Sequence, residues 1–232
     1  LGGRTRANWI RLRTMILLRW VAITGQLVAI TVAQLVYGLQ LELGLCYMAI
    51  GLSVIGNLVA TFMYPKNKRL TESENLAMVL FDLLQLAFLL YLTGGLHNPF
   101  ALLMLGPVTI SATALSLRST LLMCGIAIVS VSALAVFHLP LMTDTGQQLE
   151  IPQVFVFGHW IALLIGIVFT SAYSRRVTTE IHSMGDALAA TQMALAREQK
   201  LTDLGGVVAA AAHELGTPLA TIKLTSSELM EE

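Results

Sequence analysis

The sequence predicts an all-α membrane protein, in which a six-helix transmembrane bundle is followed by a long polar helix. Of the 232 residues, 56% are hydrophobic and only 12% are charged, whereas a soluble domain carries roughly a quarter charged residues. The charges are concentrated in residues 1–19 and 175–232. Between them lie several apolar runs of about 20 residues, the length that a helix needs to cross a bilayer.

The apolar runs predict six membrane spans within a transmembrane domain at residues 20–174. They lie at residues 20–38, 43–64, 76–93, 99–117, 120–140 and 153–174. Arginines and tryptophans before the first span, such as Arg11, Arg13 and Trp9, suit a cytoplasmic or interfacial segment at residues 1–19. No small-residue cleavage site follows and the first apolar run is too long for a signal peptide, so we expect this segment to stay attached.

Basic residues predict the orientation of the bundle. With the N terminus in the cytoplasm, the inner connections carry all of the basic residues between the spans and at the end of the last one: Lys66, Lys68, Arg69, Arg118, Arg175 and Arg176. The outer connections, near 39–42, 94–98 and 141–152, contain no Lys or Arg. Six spans and the positive-inside rule therefore place both termini in the cytoplasm.

The net charge of zero gives no electrostatic case for binding nucleic acid. Cys46 and Cys124 fall in apolar spans near opposite membrane faces, where their sulfur atoms could not meet. We therefore expect buried small hydrophobic side chains and no disulfide framework. The chain starts at Leu1 and ends inside a helical pattern at Glu232, so we expect it to be a fragment of a longer protein.

The sequence after Arg176 predicts a coiled-coil linker at residues 175–200. Its apolar positions repeat at steps of three and four residues: Ile181, Met184, Leu188, Thr191 and Leu195. A second apolar set starts at Leu201 and is out of phase with the first, and the pair Gly205-Gly206 weakens the helix nearby. The phase break is either a signalling hinge or a simple junction between two helices.

His213 is the candidate reactive residue of the last segment, residues 201–232. On a helix it points away from the apolar seam, Thr217 shares its face one turn later, and Glu214 is adjacent. Neutral imidazole is a competent nucleophile, and a nearby carboxylate can orient it or take its proton. Pro218 is expected to bend the helix. The alternatives are a surface histidine without function and a zinc motif HExxH, which lacks its second histidine because residue 217 is Thr.

The connection between the third and fourth spans, GGLHNPF at 94–100, predicts a tight outer hairpin. Gly94 and Gly95 end one helix, Asn98 caps the next, and Pro99 occupies its first turn. A functional interpretation is also open. A quinone head group lies near the membrane interface, where Asn98 could donate a hydrogen bond to a ring carbonyl and Phe100 could pack on the ring.

Several other polar residues lie in or near the predicted spans. Asp82 lies deep in the third span, where a carboxylate is costly and marks a functional candidate. No basic partner is visible within a span, so we expect it to be protonated or bonded to Gln85 or to Ser and Thr groups. His97, His138 and His159 fall near the outer face, where interfacial hydrogen bonding and metal or haem ligation are the two interpretations.

The segment His213–Leu219, HELGTPL, resembles the H-box of the dimerisation and phosphotransfer domain of histidine kinases. The longer segment LTDLGGVVAAAAHELGTPLATIKL at 201–224 resembles RegB/PrrB-type redox-responsive sensor kinases. The likeness extends to RLRTMILLRW near the start and to LTGGLHNPFALL at 92–103, so it covers essentially the whole chain.

This resemblance implies a role for each matching residue. His213 would accept the γ-phosphoryl group of ATP and pass it to an aspartate of a response regulator, Glu214 would be the general base or orienting carboxylate, and Thr217 would support dephosphorylation of the regulator. The fixed positions of the family's ubiquinone-binding heptad are met by a set in the hairpin: Gly94, Gly95, Asn98, Pro99 and Phe100. Bound oxidised quinone would lower kinase activity.

The resemblance also implies a homodimer in the lipid of the bacterial inner membrane. Residues 201–232 would form the first helix of a four-helix dimerisation bundle. The return helix and the domain that binds ATP and Mg²⁺ would lie beyond Glu232, so the fragment would be inactive alone. The family's redox-active cysteine lies downstream of the H-box, and neither Cys46 nor Cys124 matches it. A quinone- or haem-binding electron-transfer protein and a small transporter with a helical tail remain the alternatives.

Overall fold

The computed structural model describes residues 12–63 and 70–231, and these are almost entirely helical. Six α-helices follow one another: α1 (Leu12–Leu35), α2 (Leu43–Met63), α3 (Glu72–Leu92), α4 (Leu105–Ala114), α5 (Leu117–Val136) and α6 (Gln153–Glu231). Two 3-10 helices, η1 (Gly95–His97) and η2 (Pro99–Met104), lie between α3 and α4. The prediction of an all-α fold is confirmed, and the chain divides into the units Leu1–Thr178 and Thr179–Glu232.

Within the described residues, five helices are long and apolar enough to cross a membrane: α1, α2, α3, α5 and the first part of α6. The predicted fourth span is the shorter segment Pro99–Ala114, in which six 3-10 residues precede ten α-helical ones. Because a 3-10 helix rises about 2.0 Å per residue against 1.5 Å for an α-helix, the segment is about 27 Å long. That length approaches the hydrocarbon thickness of about 30 Å.

The first unit is organised around α3, which contacts α2, α4 and α5. Its larger core joins α3, η2, α4, α5 and α6 through fully buried side chains, among them Leu83, Met104, Met123 and Ile167. A smaller core, which includes Ile23, joins α1, α2 and α3. Many large apolar side chains on the outward faces of these helices are exposed, as expected for surfaces that contact lipid. The packing places the α3–η2 loop at one end of the central helix.

A two-stranded ribbon closes the same end of the bundle. β1 (Leu39–Gln40) pairs antiparallel with β2 (Met142–Thr143), so the connection after α1 meets the connection after α5. Gly38 has a φ of 58°, and its carbonyl accepts a hydrogen bond from the backbone N–H of Asp144 at 2.8 Å. Two connections that the sequence placed on one membrane face are therefore joined directly.

The second unit consists of the C-terminal part of α6. Every side chain described from Thr179 onwards is exposed, including the predicted coiled-coil seam. α6 runs without interruption through Gly205-Gly206 and contains Pro218. The interpretation of the glycine pair as a junction between two separate helices is therefore wrong, because the backbone hydrogen bonding continues across it. The interpretation as a signalling hinge stays a prediction.

Candidate functional site

The hairpin between α3 and η2 has the local structure that its sequence predicts. Thr93 ends α3, and Gly94 (φ 97°) and Gly95 (φ 57°) then adopt left-handed backbone that L-residues other than glycine rarely enter. Asn98 caps η2, because its Oδ1 accepts a hydrogen bond from the backbone N–H of Phe100 at 2.9 Å, and Pro99 takes the first helical position. The predicted turn is confirmed.

Gly95 is required for a second reason, which the sequence did not show. A Cβ atom at this position would collide with the backbone carbonyl of Leu134 and would lie 2.8 Å from Cβ of His138. The hairpin therefore packs directly against the end of α5. Gly94 is less crowded, since its nearest neighbour would be Cδ1 of Leu141 at 3.1 Å.

The Asn98 side chain is fully used inside the hairpin. Its Nδ2 donates hydrogen bonds to Oγ1 of Thr93 at 2.8 Å and to the Thr93 carbonyl at 3.2 Å, while its Oδ1 caps η2. The Phe100 side chain points outward, with 48% of the residue exposed. The five predicted quinone residues thus lie together in one loop, and Pro99 and Phe100 are the two among them that are exposed.

Two of the three histidines that were predicted near the outer face lie in contact beside the hairpin. The rings of His97 and His138 have centroids 4.9 Å apart and are tilted by 59°. Nδ1 of His97 accepts a hydrogen bond from the backbone N–H of Ile151 at 3.1 Å, so Nε2 carries the proton of the neutral ring. Burial lowers the pKa of His97 below its ordinary value, and the nearby His138 adds to this, while Glu150 opposes it.

These histidines do not form a recognisable metal centre. Within residues 12–63 and 70–231, no group of three or more His, Cys, Asp or Glu side chains is placed to hold a metal ion. His159 influences His97 only electrostatically in the interactions described. The contacts of His97 and His138 are those of interfacial hydrogen bonding and ring packing.

Asp82 has a basic partner, contrary to the sequence prediction. Arg19 on α1 approaches it with two nitrogens: Nη2 donates a hydrogen bond to Oδ2 at 2.9 Å, and Nε lies 2.8 Å from Oδ1. The second contact is an ion pair without hydrogen-bond alignment, because Nε has no hydrogen-bond partner. Nη2 also donates to the Met78 carbonyl at 3.2 Å, and the guanidinium lies 5.8 Å from the centre of the Phe81 ring.

The prediction is wrong because it places Arg19 in the interfacial segment 1–19. α1 begins at Leu12, so Arg19 lies two turns inside the helix and faces α3. The signal was available: Arg19 interrupts the run MILLRWVAI, and a buried cation in such a run requires an anionic partner. Of the residues used to predict this segment, Trp9 and Arg11 lie outside the described residues.

A neutral pair extends this polar contact along the same two helices. Gln26 on α1 and Gln85 on α3 exchange hydrogen bonds between their side-chain amides, at 3.3 Å and 3.1 Å. Gln85 is therefore bonded to Gln26, and the predicted bond between Gln85 and Asp82 is wrong. The two pairs together define the polar part of the α1–α3 contact.

At the opposite end of the bundle, side chains cap the α4–α5 connection. Oε1 of Glu72 accepts hydrogen bonds from the Ser116 backbone N–H at 3.2 Å and from the Ser119 hydroxyl at 2.7 Å. Nη1 of Arg175 on α6 donates to the Leu115 carbonyl at 3.2 Å. Of the basic residues used to predict orientation, Lys66, Lys68 and Arg69 lie outside the described residues.

His213 and Glu214 are consecutive exposed residues of α6. Exposure is what a phosphoacceptor needs, because another domain must reach the ring. Thr217 belongs to the same helix, but its side chain lies outside the described part of the structure. The roles of all three remain predictions.

Comparison with known proteins identifies the membrane region. Residues 4–140, more than half of the chain, match the PilS-like transmembrane domain. The chain belongs to this family. The PilS-like match includes the hairpin and both α1–α3 polar pairs, and it ends before α6.

Two curated relatives cover almost the whole chain. Both are sensor histidine kinases RegB from Cereibacter sphaeroides, 63% and 64% identical over 228 residues, which are 98% of this chain and 49% of each relative. The predicted RegB/PrrB-type resemblance is confirmed, and the chain spans about half the length of the curated relatives it matches. No solved structure matches the chain.

Proposed function

We propose that the chain is the sensor portion of a transmembrane histidine kinase, which responds to the redox state of membrane quinone and controls phosphorylation of His213. The observation that carries this proposal is the 63% identity to a RegB sensor histidine kinase over 98% of the chain, which includes the membrane unit and the HELGTPL segment. A response regulator would be the partner that receives the phosphoryl group.

The chemistry assigned to the second unit needs an exposed imidazole and a base. An unprotonated ring nitrogen of His213 attacks the γ-phosphorus of ATP, an N–P bond forms, the bond to the bridging oxygen breaks, and ADP leaves. The proton on the other ring nitrogen passes to Glu214. ATP and Mg²⁺ would be supplied by a kinase domain, and Thr217 would act later, in dephosphorylation of the regulator.

The exposed seam on α6 supports a homodimer. Ile181, Met184, Leu188 and Leu195 are each more than half exposed, and a heptad-like apolar stripe is stable in water when a second helix covers it. We propose that a second copy of the chain provides that helix.

We propose that the hairpin binds quinone and that binding changes the hydrogen bonds of Asn98. A ring carbonyl that accepts a hydrogen bond from Nδ2 has to replace one of its two bonds to Thr93. Binding would therefore loosen the link between the end of α3 and the start of η2, while Phe100 packs on the ring face. Bound quinone would in this way change the backbone of the hairpin directly, through the hydrogen bonds between Asn98 and Thr93.

The proposed location is the bacterial inner membrane with both termini in the cytoplasm. This orientation puts the hairpin at the outer face and Arg118, Arg175 and Arg176 at the inner face, in agreement with the positive-inside rule.

The phosphoacceptor is tested with the full-length protein in liposomes and radiolabelled ATP. His213→Gln should lose the label, whereas His182→Gln, a change at another exposed histidine of α6, should keep it. Label retained at the wild-type level in His213→Gln would reject His213 as the acceptor.

A further inference from the structure

A side chain of α6 contacts the C-terminal end of α4. α4 ends at Ala114, and the buried residue Leu115 follows it as the C-cap. The last carbonyls of a helix have no partner within it and lie at the negative end of its dipole. Nη1 of Arg175 on α6 donates a hydrogen bond to the carbonyl of this C-cap residue at 3.2 Å. The contact brings a cation to the C-terminal end of α4, where the helix dipole favours positive charge.

The other end of the same segment is the hairpin. Asn98 caps η2, and η2 continues directly into α4. The segment Pro99–Ala114 therefore begins at the loop assigned to quinone and ends at Leu115, beside Arg175. It joins the hairpin to the part of α6 that carries Arg175.

α6 also packs along this segment. A Cβ atom at Gly166 would lie 3.1 Å from Cδ2 of Leu105, so the two helices approach closely there. Leu163 and Ile167 of α6 are buried in the same core as Met104 and Val108. α6 thus follows the segment from its middle to its end.

The other polar side-chain contacts described between α6 and the helices of the bundle go to α5. Nε1 of Trp160 donates to the Ser132 hydroxyl at 3.0 Å, and the Ser171 hydroxyl lies 3.2 Å from Sγ of Cys124. Within the described interactions, Arg175 is the polar contact of α6 that reaches the end of α4. It lies close before the start of the second unit at Thr179.

We propose that Arg175 is a positioning residue that transmits the state of the hairpin, through Pro99–Ala114, to α6. A change at Asn98 shifts the start of this segment, the Leu115 carbonyl shifts at its end, and the guanidinium moves α6 with it. This inference rests on the proposed function, because the output it controls is phosphorylation of the kinase.

The test is a double-mutant cycle in the full-length protein in liposomes, with the initial rate of total label incorporation as readout. Asn98→Ala should change this rate by about threefold or more, the size of coupling that residues in such networks carry. In an Arg175→Met background, the effect of Asn98→Ala on the rate should be less than half of its effect in the wild type. In an Arg176→Met background it should stay as in the wild type.

Arg175→Lys and Arg175→Gln provide the second test. Lysine keeps a cation at the negative end of α4 and should preserve most of the Asn98 effect, whereas glutamine should not. A role in folding alone would not separate these two variants in this way, and it would lower the melting temperature instead.

The proposal is overturned if the Asn98 effect survives intact in Arg175→Met and Arg175→Gln, or if Asn98→Ala leaves the rate unchanged in the wild type. The proposed function fails separately. If added ubiquinone has no effect while the Arg175 cycle behaves as expected, the quinone assignment is wrong and the route stands. If the label is not on His213, the total rate still reports on Arg175.

Discussion

Two polar networks in the membrane unit are built from different chemistry. The α1–α3 contact holds a buried ion pair, Arg19–Asp82, whereas the hairpin from Thr93 to Phe100 relies on neutral hydrogen bonds and two left-handed glycines. Breaking one side of a buried ion pair leaves an uncompensated charge and is costly, but exchanging neutral hydrogen bonds costs little. The ion pair therefore suits a fixed support, and the hairpin suits a segment that changes when a ligand binds.

The largest expected effect is at the ion pair. Arg19→Met leaves the Asp82 carboxylate without its cation and should lower the free energy of unfolding by about 3–5 kcal/mol. The double variant Arg19→Met/Asp82→Leu should recover most of this loss, because a well-packed apolar pair replaces both charges. Thermal unfolding of the purified chain in detergent, with the exposed Arg118→Met as control, measures both. An Arg19→Met variant as stable as the wild type would contradict the assigned role.

The next effect separates backbone strain from crowding in the hairpin. Gly95→Ala places an L-residue in left-handed backbone and puts its Cβ atom against the Leu134 carbonyl. We expect the free energy of unfolding to fall by more than about 2 kcal/mol. Gly146 has a similar φ of 75° but nothing within 4 Å of the added Cβ, so Gly146→Ala should cost only the backbone part, about 1–2 kcal/mol. Equal melting temperatures for the two variants would show that the hairpin does not pack on α5 as described.

A smaller effect separates the two structural roles of Asn98, which are the cap of η2 and the hydrogen bonds to Thr93. Asn98→Ala removes the cap of η2 and both bonds to Thr93, with an expected loss of about 1–2 kcal/mol. Asn98→Asp keeps the oxygen that accepts from Phe100, and its charge is favourable at a helix N terminus, but it loses the donors to Thr93. Chemical denaturation should place Asn98→Asp between the wild type and Asn98→Ala. Identical losses for the two variants would mean that the cap contributes nothing.

The smallest effect is a pH dependence at His97. Because its pKa is lowered in the folded protein, stability from this residue is complete above the pKa of the unfolded chain, about 6.5. It is lost as the pH falls from there towards the folded pKa, since only the unfolded state gains the proton. The groups that act on His97 are His138, Glu150 and His159. His97→Gln should flatten the melting temperature between pH 7 and pH 5, and His182→Gln should not.

Much of the fold followed from local sequence. Apolar runs of bilayer length located α2, α3 and α5 to within a few residues, except that α3 begins earlier, at the capping box of Thr71 and Glu74. The hairpin was predictable because glycine, asparagine and proline have strong positional preferences at helix ends. The site residues Gly94 to Phe100 are adjacent in sequence, so their proximity required no tertiary information.

Contacts between distant segments were not predictable in this way. Arg19 and Asp82 are 63 positions apart, and hydrophobic periodicity does not say which helix faces which. The same holds for His97 with His138 and for Arg175 with Leu115. The 3-10 start of the fourth span also has no clear signal, because its composition is that of an ordinary apolar helix.

The most direct test of the whole account measures ubiquinone control of phosphorylation in the full-length protein. Phe100→Ala removes the exposed ring of the hairpin, and Phe88→Ala is the matched control, since Phe88 is 38% exposed on α3. We predict that oxidised ubiquinone lowers the rate of His213 labelling in the wild type and in Phe88→Ala, and that Phe100→Ala loses this response. A Phe100→Ala variant that responds to oxidised ubiquinone like the wild type would contradict the account.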